Sequence, residues 1–474
     1  MHLNPSRAQL TPLARIVLPL LLCSGVERSP GGEAVWPQFR GPEGLAVAAQ
    51  DHPPIQFGPQ TNLLWKTELP SGHSSPCVWG PRIFLTGLNQ GQLETLCVDR
   101  NSGRVLWQRQ VPAEKLEPTH RLGSPAASTP ATDGVRVYAY FGSYGLVAYD
   151  VEGREQWKRP LPTPMVEFGA GMSPLLAGDR LIVVCDGDQG SHLLALDKAT
   201  GRQLWRTERP EFRRSFSSPF VWKHEGAEEL VVPGSIWLRS YDLSDGKERW
   251  SFSGTSRVAN STPTAGSGLL FSASWNIGGD PGERIQMEPF EAFASEHDKD
   301  KDGKLSVDEI PAGPIRERFS QMDLNKDGFT TAEEWQLMAE MFAKAGNALL
   351  AIRPGGRGDI TRTHLAWKVT RSLPYVCSPV CYEDRVYTVK NGGLASCYEA
   401  KTGRVLYQDE RLDAAGDYYA SLVAAGGRIY AASQKGRVVV WKAGDTLDIL
   451  ARNDLGEEIM ATPAVVDSKL YVRT

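Results

Sequence analysis

Ala195-Leu196-Asp197-Lys198-Ala199-Thr200-Gly201-Arg202-Gln203-Leu204-Trp205 is the stretch on which the fold is read. A small residue, an apolar residue and an acid lead into a glycine, and an aromatic follows four positions later. That is a strand, a tight turn that needs positive φ, and a returning strand whose large ring must be buried. The pattern recurs as Cys97-Val98-Asp99 with Gly103 and Trp107, and as Ala148-Tyr149-Asp150 with Gly153 and Trp157. It appears again as Ser240-Tyr241-Asp242 with Gly246 and Trp250, and as Cys397-Tyr398-Glu399 with Gly403 and Tyr407. A second signature opens each unit, a Ser/Thr-Pro step before a short strand: Ser75-Pro76, Thr129-Pro130, Ser173-Pro174, Ser218-Pro219, Thr262-Pro263, Ser378-Pro379 and Thr462-Pro463, with Ser421-Leu422 filling the remaining slot. These make eight starts, spaced by 41 to 54 residues except for one interval of 116.

Each unit reads as a four-stranded antiparallel sheet that cannot bury both faces alone. Repeated radially, such sheets give an all-β fold, and the expected architecture is an eight-bladed β-propeller. A ring must close. The eighth start has two strands after it and no closing hairpin, whereas Leu63-Leu64-Trp65-Lys66 has the closing pattern with no unit before it. The strand near residues 63–68 is therefore expected to complete the last blade, whose third strand is left unaccounted for. The expected organisation is a leader over residues 1–34, propeller over 35–275, an insert over 276–346 and propeller again over 347–474.

The insert, which accounts for the long interval, falls between the second and third strands of blade five. It carries two twelve-residue loops. The first sets Asp298, Asp300 and Asp302 at positions one, three and five, Gly303 at six, the Lys304 carbonyl at seven, Ser306 at nine and Glu309 at twelve. The second sets Asp323, Asn325, Asp327, Gly328, the Phe329 carbonyl, Thr331 and Glu334 in the same places. Calcium needs six or seven hard oxygens around a sharply turned chain, with a bidentate glutamate last, and this is an EF-hand pair. Ser306 with Glu309 and Thr331 with Glu334 are expected to cap the exiting helices, although Pro311 cuts the first of these short. Leu305 stands at position eight of the first loop against Thr330 in the second, so the strand pairing between loops is expected to be weak and the second site the poorer one. Abundant extracellular calcium favours a permanent brace over a sensor.

Composition bounds the rest. With 52 basic and 56 acidic residues the net charge is -4, which leaves no electrostatic footprint for nucleic acid. Arg7 and Arg15, an apolar run from Ile16 to Cys23 and a Gly-rich stretch resemble a Sec-type leader, too short to span a membrane. Leu22 stands where a lipid anchor on Cys23 would need a small residue, so cleavage is favoured over lipidation. Secretion to the periplasm or beyond is the expected localisation. The other six cysteines are read as buried free thiols: Cys77 and Cys97 lie on first and third strands of one blade, too far apart to bond. His120, His192 and His364 stand alone, and no nucleophile elbow, zinc motif or phosphate loop is present, so no catalytic residue is assigned.

The closing hairpins and Ser/Thr-Pro openings resemble the PQQ-like, quinoprotein-type propeller repeats, and segments such as Trp36-Pro37-Gln38-Phe39-Arg40-Gly41-Pro42 resemble a secreted, planctomycete-like bacterial branch of that family. The resemblance implies either a PQQ-dependent alcohol dehydrogenase, or a non-catalytic lipoprotein like BamB of outer-membrane β-barrel assembly. Catalytic members carry a pair of adjacent cysteines, which this chain lacks, and PQQ use is not expected. The leading expectation is a calcium-binding propeller that holds a protein or glycan partner without being an enzyme.

Overall fold

The computed structural model describes residues 34–474 apart from Glu167 and Pro281; the leader and Cys23 lie outside the described residues. Strands such as Arg136–Phe141 and His192–Asp197 are apolar runs buried on both faces, because each sheet has another sheet on either side. The outermost strand of each unit meets solvent, so Gln203–Glu208 buries little besides Trp205. Seven sheets built on this meander follow one another along the described chain, four of them four-stranded and three with a fifth strand added at an edge, and Ala464–Val466 pairs with Lys469–Tyr471 in a two-stranded one. The fold is all-β and propeller-like.

Neighbouring sheets are fastened by the closing tryptophans. The indole N–H of Trp107 donates to the Val151 carbonyl at 3.0 Å, Trp157 to Lys198 at 3.1 Å, Trp205 to Leu243 at 3.1 Å and Trp367 to Ala400 at 2.8 Å. Each ring lies over the turn glycine of the next hairpin. At Gly201, φ is +71° and a Cβ would stand 2.7 Å from the Trp157 ring, so backbone and packing both demand glycine. Gly201→Ala is expected to cost about 2 to 3 kcal/mol in chemical denaturation; a loss under about 0.5 kcal/mol would show that the lock is loose.

A second belt runs round the channel. The backbone N–H of Ser75 donates to Thr129 Oγ1, Thr129 to Ser173 Oγ, Ser173 to Ser218 Oγ, Ser218 to Thr262 Oγ1 and Thr262 to Ser378 Oγ, at 2.9 to 3.2 Å. Ser421 then donates to Thr462 Oγ1 at 2.8 Å and Thr462 to Ser75 Oγ at 3.0 Å, joining the chain's late residues to its early ones. Seven of the eight opening residues, all but Ser421, thus accept a hydrogen bond from a neighbouring unit. One buried apolar cluster crosses the same seam, from Val78, Ile83 and Leu96 to Val438, Val440, Ala464 and Val466.

Residues 63–68 form no strand. Among the described residues no strand is paired with them. Trp65 nevertheless sits as the other closing tryptophans do: its N–H donates to the Arg100 carbonyl at 2.9 Å, and its ring lies over Gly103 and 6.2 Å from that of Tyr471. The described N-terminal strands pair elsewhere, Val35–Trp36 with the first sheet and Val47–Ala48 with the seventh. Between them the chain crosses the channel. Buried Arg40 donates to the carbonyls of Thr262 at 3.0 Å and Pro379 at 2.6 Å.

The six cysteines are free thiols. Cys77 and Cys97 both register with Phe84 from opposite sides, and burial pushes the Cys97 thiol up to about 12. Glu117 is a buried carboxyl whose Oε2 accepts from the Ala170 N–H at 3.1 Å while Oε1 has no partner. Burial raises it from 4.5 to about 7, against the pull of the Ala170 hydrogen bond. Stability from this protonated acid is present below 4.5 and is lost as pH rises through about 7. Glu117→Gln is expected to match the wild type near pH 4.5 and to exceed it by about 2 to 3 kcal/mol at pH 8; equal stabilities at both pH values would refute the assignment.

Candidate metal centre and channel

Strands Leu269–Ser274 and Ala348–Ile352 pair directly, Ser274 opposite Ala348, and the residues between them carry all the described α-helix. Asn276 and Asn347 tie the two stems: the Asn276 N–H donates to Asn347 Oδ1 at 2.9 Å, and Asn347 Nδ2 donates to the Asn276 carbonyl at 3.0 Å. The segment has its own core of Phe290, Leu305, Ile310, Met322, Trp335, Met338, Met341 and Phe342. Its helices are α1 (Phe290–His297), α2 (Phe319–Met322) and α3 (Ala332–Lys344).

In the first loop the carboxylates of Asp298, Asp300 and Asp302 lie within 4.8 Å of one another. Backbone amides hold them: Asp298 accepts from Lys301 at 2.7 Å and Gly303 at 3.0 Å, and Asp302 accepts from Lys304 at 2.8 Å. Glu309 accepts from the Ser306 N–H and hydroxyl, both at 2.8 Å, and from the Lys299 N–H at 2.9 Å. The Ser306 amide, then its hydroxyl, then the Lys299 amide hold this carboxyl down at about 2. The second loop repeats the scheme. Asp323 accepts from Asp327 at 3.1 Å and Gly328 at 3.0 Å, Asn325 from Asp327 at 3.0 Å and Asp327 from Phe329 at 2.9 Å. Glu334 accepts from the Leu324 and Thr331 amides at 2.8 and 2.9 Å and from the Thr331 hydroxyl at 2.9 Å. The donor set is hard oxygen throughout, curled round Gly303 and Gly328 at φ +78° and +91°, and it fits calcium.

One expectation about the flanking structure needs correction. Ser306 and Glu309 bond as a pair, yet no helix follows them, because Pro311 and Gly313 interrupt the chain before a turn can propagate. The second loop is entered through a 3-10 turn, Arg316–Arg318, and the single turn α2. Only Thr331 and Glu334 build a full capping box, at the start of α3. The loops do pair, Leu305 opposite Thr330, and the Thr330 hydroxyl is buried without a partner.

The segment is fastened across the channel through α2. Arg213 Nη2 donates to the Gln321 carbonyl at 2.6 Å, Arg257 Nη1 donates to Gln321 Oε1 at 3.4 Å, and the Arg257 guanidinium lies 5.0 Å from the Phe342 ring centre. Asp323, at position one of the second loop, is two residues beyond Gln321. A cavity of about 500 Å³ is bounded by Phe39 of the N-terminal crossing, the Ser/Thr belt, and Glu317, Arg318 and Gln321. No sequence pattern announced this cavity. Its walls come from residues hundreds of positions apart. The His120 ring lies 4.7 Å from that of Phe168 at a tilt of 51°, His192 Nδ1 contacts the Gly190 carbonyl at 2.7 Å and His364 Nδ1 contacts the Thr363 hydroxyl at 2.8 Å.

A family profile described as outer membrane protein assembly factor BamB, of the PQQ repeat type, matches residues 57–167 and 94–273. The chain carries PQQ-like repeats of the BamB type. An outer membrane protein assembly factor BamB of Alkalilimnicola ehrlichii is 33% identical over 140 residues, 29% of this chain and 33% of that protein. The chain thus spans a third of the length of the curated relative it matches. Among solved structures, BamB from Moraxella catarrhalis superposes with TM-score 0.50 at 13% identity, covering 85% of this chain and 93% of that one. A quinohemoprotein alcohol dehydrogenase from Pseudomonas putida HK5 gives TM-score 0.50 at 12% identity, covering 92% and 75%. At such identities these structures speak for the fold alone. An EF-hand profile matches residues 315–339, which hold the second loop. No described helix is long and apolar enough to cross a membrane.

Proposed function

We propose that the chain is an eight-bladed propeller with a calcium-binding EF-hand pair inserted in its fifth blade, and that it acts outside the cytoplasm as a binding or scaffold protein rather than an enzyme. Closure uses Trp65 as the closing tryptophan of the last blade. The observation that carries the reading is the docking of α2, whose next residue is the first calcium ligand, on Arg213 and Arg257 at the channel mouth. Calcium held by Asp298, Asp300, Asp302, Ser306 and Glu309, and by Asp323, Asn325, Asp327, Thr331 and Glu334, with the Lys304 and Phe329 carbonyls, braces that mouth. The likeness to BamB supports a role in holding a protein, and envelope assembly falls within the reading. Its competitor is PQQ-dependent oxidation, favoured by a cavity large enough for a small molecule. Two measurements test the proposal. Stoichiometric PQQ uptake with calcium, seen as quinone absorbance, would overturn the non-enzymatic part. Capture of the same partner from envelope extract with calcium, and its loss with chelator, is the expected result for the brace.

A further inference from the structure

Four guanidiniums gather where the inserted segment meets the channel: Arg213 and Arg214 before the fourth sheet, Arg257 after it, and Arg318 from the insert. Asp188 engages two of them, with Arg214 Nε donating to it at 2.8 Å and Arg213 3.8 Å away. Arg318 is 3.7 Å from Glu317, a largely exposed carboxylate. Arg257 forms no ion pair with a described carboxylate. Its acceptors are two neutral oxygens at long range, the Ile277 carbonyl at 3.3 Å and Gln321 Oε1 at 3.4 Å, and its Nε is buried with no acceptor. Arg213, 4% exposed, likewise has Nε and Nη1 buried without acceptors. Buried donors left unmade cost about 1 to 3 kcal/mol each, and more when charged. Burial, then Arg318 and Arg214, bring Arg257 down to about 10. Like charges are therefore concentrated at a seam that opens into the cavity, where Arg257 and Arg318 both form part of the wall. The cavity beyond is walled by rings, Phe168 and Phe216 edge-to-face at 5.8 Å, with Tyr375 and Tyr419 beside them.

We propose that this seam is a binding site for a small ligand carrying an oxyanion, a carboxylate or sulfate-like group, clasped between Arg257 of the propeller and Arg318 of the insert, with its apolar or ring-bearing body against the aromatic wall. A planar guanidinium on each side of the seam suits such a group, since each can offer paired N–H donors. The site is half built by the inserted segment, so occupancy would also tie insert to channel.

The test is calorimetric titration of the calcium-loaded full chain with sodium sulfate and with sodium benzoate, ionic strength held constant with sodium chloride. Saturable one-to-one binding of at least one of the two is expected. Arg257→Gln and Arg318→Gln should each weaken it by about tenfold or more, while Arg404→Gln, an exposed residue paired with Glu399, should leave it unchanged. Preference for benzoate would assign a carboxylate with a ring, and preference for sulfate a tetrahedral anion. Absence of saturable binding by both probes, or Arg257→Gln and Arg318→Gln binding as the wild type does, overturns the proposal. The same titration on chelated protein separates the two readings, because Arg257 and Arg318 are judged there without calcium.

Discussion

Replacing Glu334 by glutamine is expected to weaken calcium binding at the second loop by on the order of 100-fold, about 3 kcal/mol. Glu334 stands at position twelve, where a loop of this type takes its bidentate ligand. Its two oxygens are already aimed by the Leu324 and Thr331 amides, so the substitution removes charge and reach together. Glutamine can still close the capping box at the start of α3, so what that helix loses is the calcium brace beneath it, and it supplies Trp335, Met338, Met341 and Phe342 to the insert core. Hydrogen exchange in α2 and α3 should quicken accordingly, whereas the central propeller strands should keep their protection. Unchanged calcium affinity would show that the second loop is not a site. The first loop, with four carboxylates against three in the second, should bind the more tightly and survive the substitution.

The second large effect concerns a buried ion pair of the propeller. Arg209 donates from Nε to Asp186 Oδ1 at 3.0 Å, from Nη2 to Oδ2 at 2.9 Å and from Nη1 to the Tyr241 hydroxyl at 2.5 Å, and both charged side chains are fully buried. The guanidinium also stacks on Phe212 at 3.7 Å. Arg209→Met keeps the packing volume but strands the Asp186 carboxylate in a dry interior. A loss of about 3 to 5 kcal/mol is expected in denaturant unfolding. Part of it should be recovered in the double variant with Asp186→Leu, because removing both charges also removes the desolvation they suffer. A loss below about 1 kcal/mol would mean that water reaches the pair.

What could be read from the sequence was local. The acid, glycine and closing Trp or Tyr of each hairpin lie within nine residues, and each proposed set of calcium ligands lies within a twelve-residue loop, so both patterns are legible from spacing alone. The propeller-like fold and the BamB-type repeat followed. The strand expected at residues 63–68 failed on a non-local condition: Trp65 docks as its pattern demands, but a strand exists only if a neighbour supplies hydrogen bonds. The helix expected after Ser306 failed because Pro311 and Gly313 outweigh the pair that would have capped it. No sequence signal assigns a structural role to Arg40, Arg213, Arg257 or Arg318. Their roles come from the ring bringing together segments that are 44 to 278 residues apart, and only the folded chain reveals them.

The most direct test of the central claim is isothermal titration of calcium into the chelator-stripped full chain. Two equivalents are predicted, falling to one in Glu334→Gln and to none when Glu309→Gln is added. No calcium uptake by a chain whose propeller still unfolds cooperatively would contradict the account.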